Sequence, residues 1–155
     1  MSDMHIRLAE ASDRTALADL FHALWPKGPV EEHSRELEAI LSGKAPGTLP
    51  LVVFVAEAED QSLLGFLEVG LRSHADSCNP ALPVGYVEGW FVAEAQRHRG
   101  IGKQLMAAAE DWARSQGCVE MASDAQIDNT LSLRAHESLG FEVVERAILF
   151  RKALG

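Results

Sequence analysis

Residues 85–103 constrain the fold more than any other stretch of the chain. Gly85-Tyr86-Val87-Glu88-Gly89-Trp90-Phe91-Val92 is followed by Arg97-His98-Arg99-Gly100-Ile101-Gly102-Lys103. Tyr86, Trp90 and Val92 alternate with Val87 and Phe91, the period of a strand that is apolar on both faces. From Ile101 the period changes. Leu105, Ala108, Ala109, Trp112 and Ala113 recur three or four apart, as on one face of a helix. Gly100 and Gly102 sit at the junction, where glycine lets the backbone approach a ligand closely. The first free N–H groups of the helix, its dipole and the cations Arg97, Arg99 and Lys103 together form a site for phosphate oxygens.

The spacing Arg-x-x-Gly-x-Gly is neither the dinucleotide fingerprint nor a P-loop, since no Gly-Lys-Ser/Thr follows. Fourteen Lys and Arg against twenty-three Asp and Glu give a net charge of −9. A chain so acidic repels nucleic acid and anionic membranes and attracts a polycationic small molecule. The 155 residues suffice for one domain, 1–155, with a continuous core. No apolar run reaches membrane-spanning length, and the start Met1-Ser2-Asp3-Met4-His5 has no signal-peptide pattern, so the expected location is cytoplasmic. Cys78 and Cys118 have no Cys-x-x-Cys or paired-His context, so no metal is expected.

In chain order, a strand is predicted at 5–9 and a helix capped by Ser12, with Ala16, Leu17, Leu20, Phe21, Leu24 and Trp25 as its stripe. A second helix is predicted over 30–41, with Leu37, Ile40 and Leu41 inward. Runs 51–58 and 63–71 read as an antiparallel hairpin. The segment 72–83 reads as a long loop of the kind that carries binding residues. After the central strand and its helix, capped by Gly117, come a strand at 119–123, a short helix at 129–139 ended by Gly140, and a long last strand at 141–152. The fold class is therefore α/β (α+β): a mixed sheet with helices on both faces, in the order β-α-α-β-β-β-α-β-α-β.

Three carboxylates stand where strands do not casually hold them: Glu88 in the central strand, Asp124 at the end of 119–123, and Glu145 in the last strand. A buried carboxylate is costly unless it is paired or serves a cation, and strand C-terminal ends are where open α/β sheets place ligands. Each taken alone also reads as a surface or salt-bridged residue, and Trp25, at helical spacing, also reads as core.

The turn Arg97-His98-Arg99-Gly100-Ile101-Gly102 resembles the pyrophosphate signature of the GNAT N-acetyltransferases. Amide formation from a thioester, the reaction that resemblance implies, sets the chemical requirements. The attacking amine must lose a proton, the thioester oxygen needs a donor, and the departing thiolate needs stabilisation. A backbone N–H from Trp90 to Val92 can serve the oxygen if a bulge frees it. Carboxylates, about six pK units short of an amine, position it and pass its proton through water. His136 has an intrinsic pKa suited to protonating the sulfur, although a helix-end histidine bonded to a carbonyl is the plainer reading.

Beyond the glycine turn, Gly85-Tyr86-Val87-Glu88-Gly89-Trp90, Ala109-Glu110-x-Trp112-Ala113, Gly117-Cys118-x-Glu120-x-Ala122-Ser123-Asp124, Asp128-Asn129 and His136-x-x-Leu139-Gly140-Phe141 follow in one order. Together with the turn, the full set resembles the aminoglycoside 6′-N-acetyltransferases within the GNAT N-acetyltransferases, over about 63–152. The resemblance implies a GNAT-like, mostly antiparallel sheet, acetyl-coenzyme A as co-substrate, no metal and a homodimer. It implies acceptor contacts at Trp25, Glu88, Asp124 and Glu145. It also implies coenzyme contacts at Trp90, Phe91, Val92, His98, Arg99, Gly100, Ile101, Gly102, Lys103 and Asn129. Superfamily members commonly have a tyrosine acid where His136 stands. An aromatic acceptor contact is usual where Ala75 stands, with His74 beside it as a substitute.

The expected reaction is direct transfer to the 6′-amine of an aminoglycoside in a ternary complex, with Asp124, Glu88 and His136 closest to the chemistry. Two alternatives remain: an acetyltransferase for polyamines, other small amines or protein lysines, and a non-catalytic acyl-coenzyme A-binding module.

Overall fold

The fold is described from a computed structural model covering residues 4–45, 47 and 49–155. Its described residues form β1 (Met4–Leu8), α1 (Arg14–Leu24), α2 (Val30–Leu41), β2 (Leu51–Ala58), β3 (Leu63–Arg72), β4 (Val84–Val92), α3 (Ile101–Ser115), β5 (Met121–Ser123) and α4 (Thr130–Ser138). The strands lie in sequential order, β1-β2-β3-β4-β5. The first four pair antiparallel, and β5 joins β4 in parallel.

Two apolar clusters cover the two faces of the sheet, and strand alternation assigns each residue to one of them. Leu67, Val69 and Val87 pack against Ile101, Leu105, Met106 and Ala109 of α3. Val53, Val55 and Phe66 pack against Leu17, Phe21, Leu37 and Ile40 of α1 and α2. The start of α1 differs from expectation. Asp13, not Ser12, is its N-cap, and the Asp13 carboxylate accepts the Glu10 N–H at 2.7 Å. Arg7 donates to both Asp13 oxygens, at 2.7 and 2.9 Å, and to Glu57 at 2.7 Å, so an ion-pair network anchors the first helix to β1 and β2. The Asp13 side chain makes no cap bond to α1 itself. Its carboxylate closes a capping box with Glu10 around the turn 11–13 from which the helix continues, and Ser12 is exposed within that turn. In the stripe, Ala18 rather than Ala16 is buried.

β4 carries the irregularity that matters. Glu68 pairs with Gly89 but Val69 pairs with Val87, so Glu88 is an extra residue on β4, a bulge. The bulge lets both Val87 and Trp90 face α3 although they are three residues apart. Glu88 and Gly89 are left toward the α1–α2 side. The pairing of β4 with β5 ends at Val87↔Ser123, and β4 runs on to Val92 without it. A gap therefore opens between the strands beyond Val87.

The last expected strand does not form within the chain. Residues 141–155 make no helix or strand. Beyond Phe141 their apolar side chains lie open, with Ile148 79% exposed and Leu149 and Phe150 each 90% exposed. An extended segment needs a neighbouring strand to satisfy its N–H and C=O groups. This one is paired with none of the described strands, although the outer edge of β5 is open. The observed order therefore stops at β-α-α-β-β-β-α-β-α.

Candidate active site

On the α1–α2 face, the bulge and the gap bring together residues distant in sequence. Trp25 ends α1, and its ring packs edge-on to Phe21 and tilted over Phe66, with centroids 5.2 and 6.1 Å away. Its far edge rests on Gly89. A Cβ at that position would come within 2.4 Å of the indole Cη2, so only glycine admits the ring there. One residue earlier, Glu88 accepts two bonds from Arg72, at 2.9 and 3.0 Å. The Arg72 guanidinium lies 3.4 Å from the centre of the Tyr86 ring, a cation–π contact. Tyr86 in turn donates its hydroxyl to Asp124 at 2.6 Å. Burial and this bond to Asp124 push the phenol above its ordinary range, so it remains a donor at any physiological pH. Trp25, Glu88 and Asp124 thus belong to one cluster, with Arg72 and Tyr86 as links that sequence reasoning missed. Tyr86 stands two residues before Glu88 on the same strand, and that spacing was the available signal. Arg72 ends a strand and gave none.

On the other side of the gap, the turn before α3 has the expected form. Gly100 has a φ of +80° and caps the helix, and His98 is also left-handed at +65°. The first intrahelical bond runs from Gln104 N to Gly100 O at 3.1 Å, leaving the N–H groups of Ile101, Gly102 and Lys103 ahead of it as anion donors. Gly102 is held by its carbonyl, which accepts the Trp90 indole N–H at 3.1 Å. The three cations differ in position. Lys103 and Arg99 are exposed, and Arg99 donates to Gln96. Arg97 turns back instead, donating Nε–H to Val92 O at 2.9 Å with its guanidinium 5.5 Å from the Phe91 ring. It braces the end of β4.

Ala93 N donates to Leu64 O of β3 at 2.9 Å. Antiparallel alternation then directs Phe91 N–H to β3, and Trp90 and Val92 N–H away from it, into the gap. Two backbone donors on β4 therefore face the space where β5 has ended.

His136 lies near this gap, 5.1 Å from the Trp90 ring and 5.3 Å from Phe141. Its Nδ1 is 2.7 Å from Ser132 O, which only accepts, so Nδ1 carries a hydrogen. Nε2 meets Ser123 Oγ at 2.8 Å and in the neutral ring accepts from it. In this tautomer Nε2 has no hydrogen to give. Donating a proton to sulfur therefore requires Nε2 to be protonated first, directly or with the Ser123 hydroxyl as relay. Ser123 itself, at the tip of β5, was not singled out from the sequence. Asn129 caps α4, its Oδ1 accepting the Ser132 N–H at 3.0 Å, which leaves its amide NH₂ for other partners.

Two expected acceptor residues are not joined to the cluster. His74 is exposed in the loop after β3 and hydrogen-bonds to Ser73 at 3.1 Å. Glu145 is exposed in the unpaired last segment, where its Oε1 accepts the Arg146 N–H. The segment expected to carry Glu145 inward does not pair with the open edge of β5, so Glu145 stays in solvent. Cys118 is buried, and burial raises its thiol pKa, which disfavours the thiolate a nucleophile would need. Among the described residues no cluster of His, Cys, Asp and Glu has metal-binding geometry, and no helix is long and apolar enough to cross a membrane.

The chain matches the profile described as "Acetyltransferase (GNAT) family" over residues 15–141. It is 40% identical over 149 residues, 96% of each chain, to an "Aminoglycoside N(6')-acetyltransferase type 1" of Klebsiella aerogenes. It is 38% identical to a protein of the same name from Stenotrophomonas maltophilia, covering 96% of this chain and 93% of that one. Among solved structures, it superposes on aminoglycoside N-acetyltransferase AAC(6')-Iy in complex with CoA with a TM-score of 0.87 and 37% identity, covering 98% and 96% of the two chains. It superposes on AAC(6')-Iy bound to the bisubstrate analogue CoA-S-monomethyl-acetylneamine with a TM-score of 0.86 and 37% identity, covering 98% and 99%. With its bulged β4, its parted β4 and β5 and its glycine turn before α3, the chain belongs to the acetyltransferase (GNAT) family.

Proposed function

We propose that this protein transfers the acetyl group of acetyl-coenzyme A to the 6′-amine of an aminoglycoside, by direct attack in a ternary complex. The observation that carries the proposal is the parting of β4 and β5, with an acid-lined cleft on one side and an open helix N-terminus on the other. The pyrophosphate lies against the N–H groups of Ile101, Gly102 and Lys103, with His98, Arg99, Gly100 and Asn129 alongside. The thioester lies in the gap, where Trp90 and Val92 N–H face its carbonyl oxygen and stabilise the charge that develops there.

The acceptor enters beneath Trp25 as a polycation drawn by Glu88 and Asp124. Asp124, exposed at the tip of β5, directs the ammonium and passes its proton to water. The free amine then attacks the thioester carbon. A C–N bond forms, the C–S bond breaks, and the nitrogen sheds its second proton to become an amide. The thiolate gains one through solvent or the Ser123–His136 pair, so the ammonium's first proton is the one released overall.

The enzyme works as a cytoplasmic homodimer. Segment 141–155 presents Val143, Val144, Ile148, Leu149 and Phe150 to solvent, and the outer edge of β5 has no strand beside it. A second copy gives both a partner and brings Glu145 to the acceptor side of a site. Thiol release from acetyl-coenzyme A with kanamycin, tobramycin, spermidine and a lysine peptide, in wild type and Asp124→Asn, tests the reaction. Fast turnover confined to the aminoglycosides and lost with Asp124→Asn is the expected result. Turnover only with spermidine or peptide overturns the acceptor assignment.

A further inference from the structure

Glu68 is the strand carboxylate that none of the roles above uses. It lies opposite Gly89 in the middle of the sheet, 4% exposed, and its Oε2 has no hydrogen-bond partner. It lines a cavity of about 400 Å³ with Glu36 of α2, Arg72, Glu88 and the apolar wall of Leu49 and Leu51. The cation in that wall does not serve Glu68, because the Arg72 guanidinium is held by Glu88 through two bonds. Burial first, then the nearby charges of Glu36 and Glu88, push the Glu68 carboxyl up to about 8. A buried carboxyl without a partner costs stability wherever it is not needed. Its cavity therefore has space, negative charge and an unpaired acceptor oxygen, and lacks a cation.

We propose that this cavity is a subsite for a second ammonium group of the acceptor, with Glu68 as its buried counter-ion. The inference rests on the acceptor being a polyamine. Glu88 joins the two halves of the binding surface: it lines the cavity, and it neighbours Gly89, on which Trp25 rests. One molecule with several amines can thus place one at the gap between β4 and β5 and another beside Glu68. An ammonium entering the cavity keeps its three hydrogens, the Glu68 carboxyl ionises, and one proton leaves to the buffer. Glu36, Glu88 and Arg72 are the other charged groups lining this space. Arg72 and Glu88 neutralise each other, so the site favours a cation by the charges of Glu36 and ionised Glu68.

Calorimetric titration with kanamycin at pH 7, in two buffers of different ionisation heat, tests the subsite by counting protons. Wild type is expected to release about one proton more per site than Glu68→Gln, with kanamycin binding weakened roughly tenfold in the variant and acetyl-coenzyme A affinity unchanged. Equal proton counts in the two proteins overturn the subsite. Acetyl-coenzyme A binding also reports whether Glu68→Gln folds. If it does not, ¹³C NMR titration of the wild-type Glu68 carboxyl takes its place: a carboxyl that titrates lower with kanamycin bound supports the subsite, and an unmoved one overturns it. The acetylation reading fails separately, through absent thiol release by wild type. In that case the same proton count with spermidine decides the subsite: a wild-type excess supports it, and equal counts overturn it.

Discussion

The Tyr86 hydroxyl donates to Asp124 at 2.6 Å across the short parallel pairing of β4 and β5. It thereby fixes the carboxylate at the point where the strands part. Asp124→Asn keeps the shape and removes the charge that directs the ammonium. Turnover is expected to fall at least about tenfold, equivalent to about 1.4 kcal/mol of transition-state stabilisation, with acetyl-coenzyme A binding nearly intact. Tyr86→Phe leaves the exposed carboxylate to water, so its effect is expected to be smaller, a rise in acceptor KM. Steady-state kinetics with coenzyme and acceptor varied separately check both. An Asp124→Asn enzyme with unchanged kcat would remove Asp124 from the chemistry.

Gly89 and Trp25 make a second relationship of the same kind. A Cβ on Gly89 would meet the indole at 2.4 and 2.7 Å. Gly89→Ala therefore displaces Trp25 from the cleft at an overpacking cost on the order of 1–3 kcal/mol. A lowered Tm and a raised acceptor KM are expected together. Gly89→Ala combined with Trp25→Ala should recover part of the Tm and none of the KM.

How legible these pairs were in the sequence depended on the type of signal. The central strand, the glycine turn and α3 stood out because the hydrophobic period changes from two to about 3.6 at Ile101. The hairpin and the short helix after Asn129 were equally plain. Glu88 and Asp124 were visible because charges interrupt apolar strands. Arg72, Ser123 and Glu68 were not. Arg72 sits at a strand end, where a charge is unremarkable. Ser123 becomes notable only once His136 is folded beside it. Glu68 escaped notice because its isolation is three-dimensional: its neighbours Glu36 and Glu88 lie 32 and 20 residues away in sequence. The last strand misled for a different reason. Its alternation is real, but pairing needs an edge, and periodicity says nothing of which chain supplies one.

Gly102 offers the cleanest separation of coenzyme from acceptor binding. Its carbonyl holds Trp90, and a Cβ there would sit 3.3 Å from the indole, a tight but nearly tolerable contact. Gly102→Ala is therefore expected to weaken coenzyme binding modestly. Gly102→Glu places a negative charge on the helix N-terminus that faces the pyrophosphate and is expected to abolish it. A thermal-shift titration with acetyl-coenzyme A reads both, and an undiminished shift for Gly102→Glu would take the pyrophosphate away from this turn.

Glu68 makes stability depend on pH in a defined direction. Its carboxyl titrates at about 8 in the fold against an ordinary 4.5. The folded chain thus holds a proton that the unfolded chain has lost across that window, and stability declines as pH rises through it. The contribution is complete below 4.5 and gone above about 8. Glu68→Gln, which cannot ionise, should have a Tm near that of wild type at pH 5 and a higher one at pH 9. Parallel Tm–pH curves for the two proteins would show that Glu68 is ionised throughout.

Residues 143–155 stand clear of the fold of one copy. Phe141 packs against the α3-side core, but the residues beyond it bury little. Removal of 143–155 should therefore leave the fold of one copy intact. Light scattering is expected to give a dimer for the full chain and a monomer after truncation, with the far-ultraviolet helix signal preserved. The kinetics then separate the segment's two roles. If Glu145 acts on the acceptor once a second copy orders it, Glu145→Gln should raise acceptor KM in a protein that is still dimeric, and truncation should raise it at least as much. A full-length monomer with the same acceptor KM as its truncated form would leave segment 141–155 without either role.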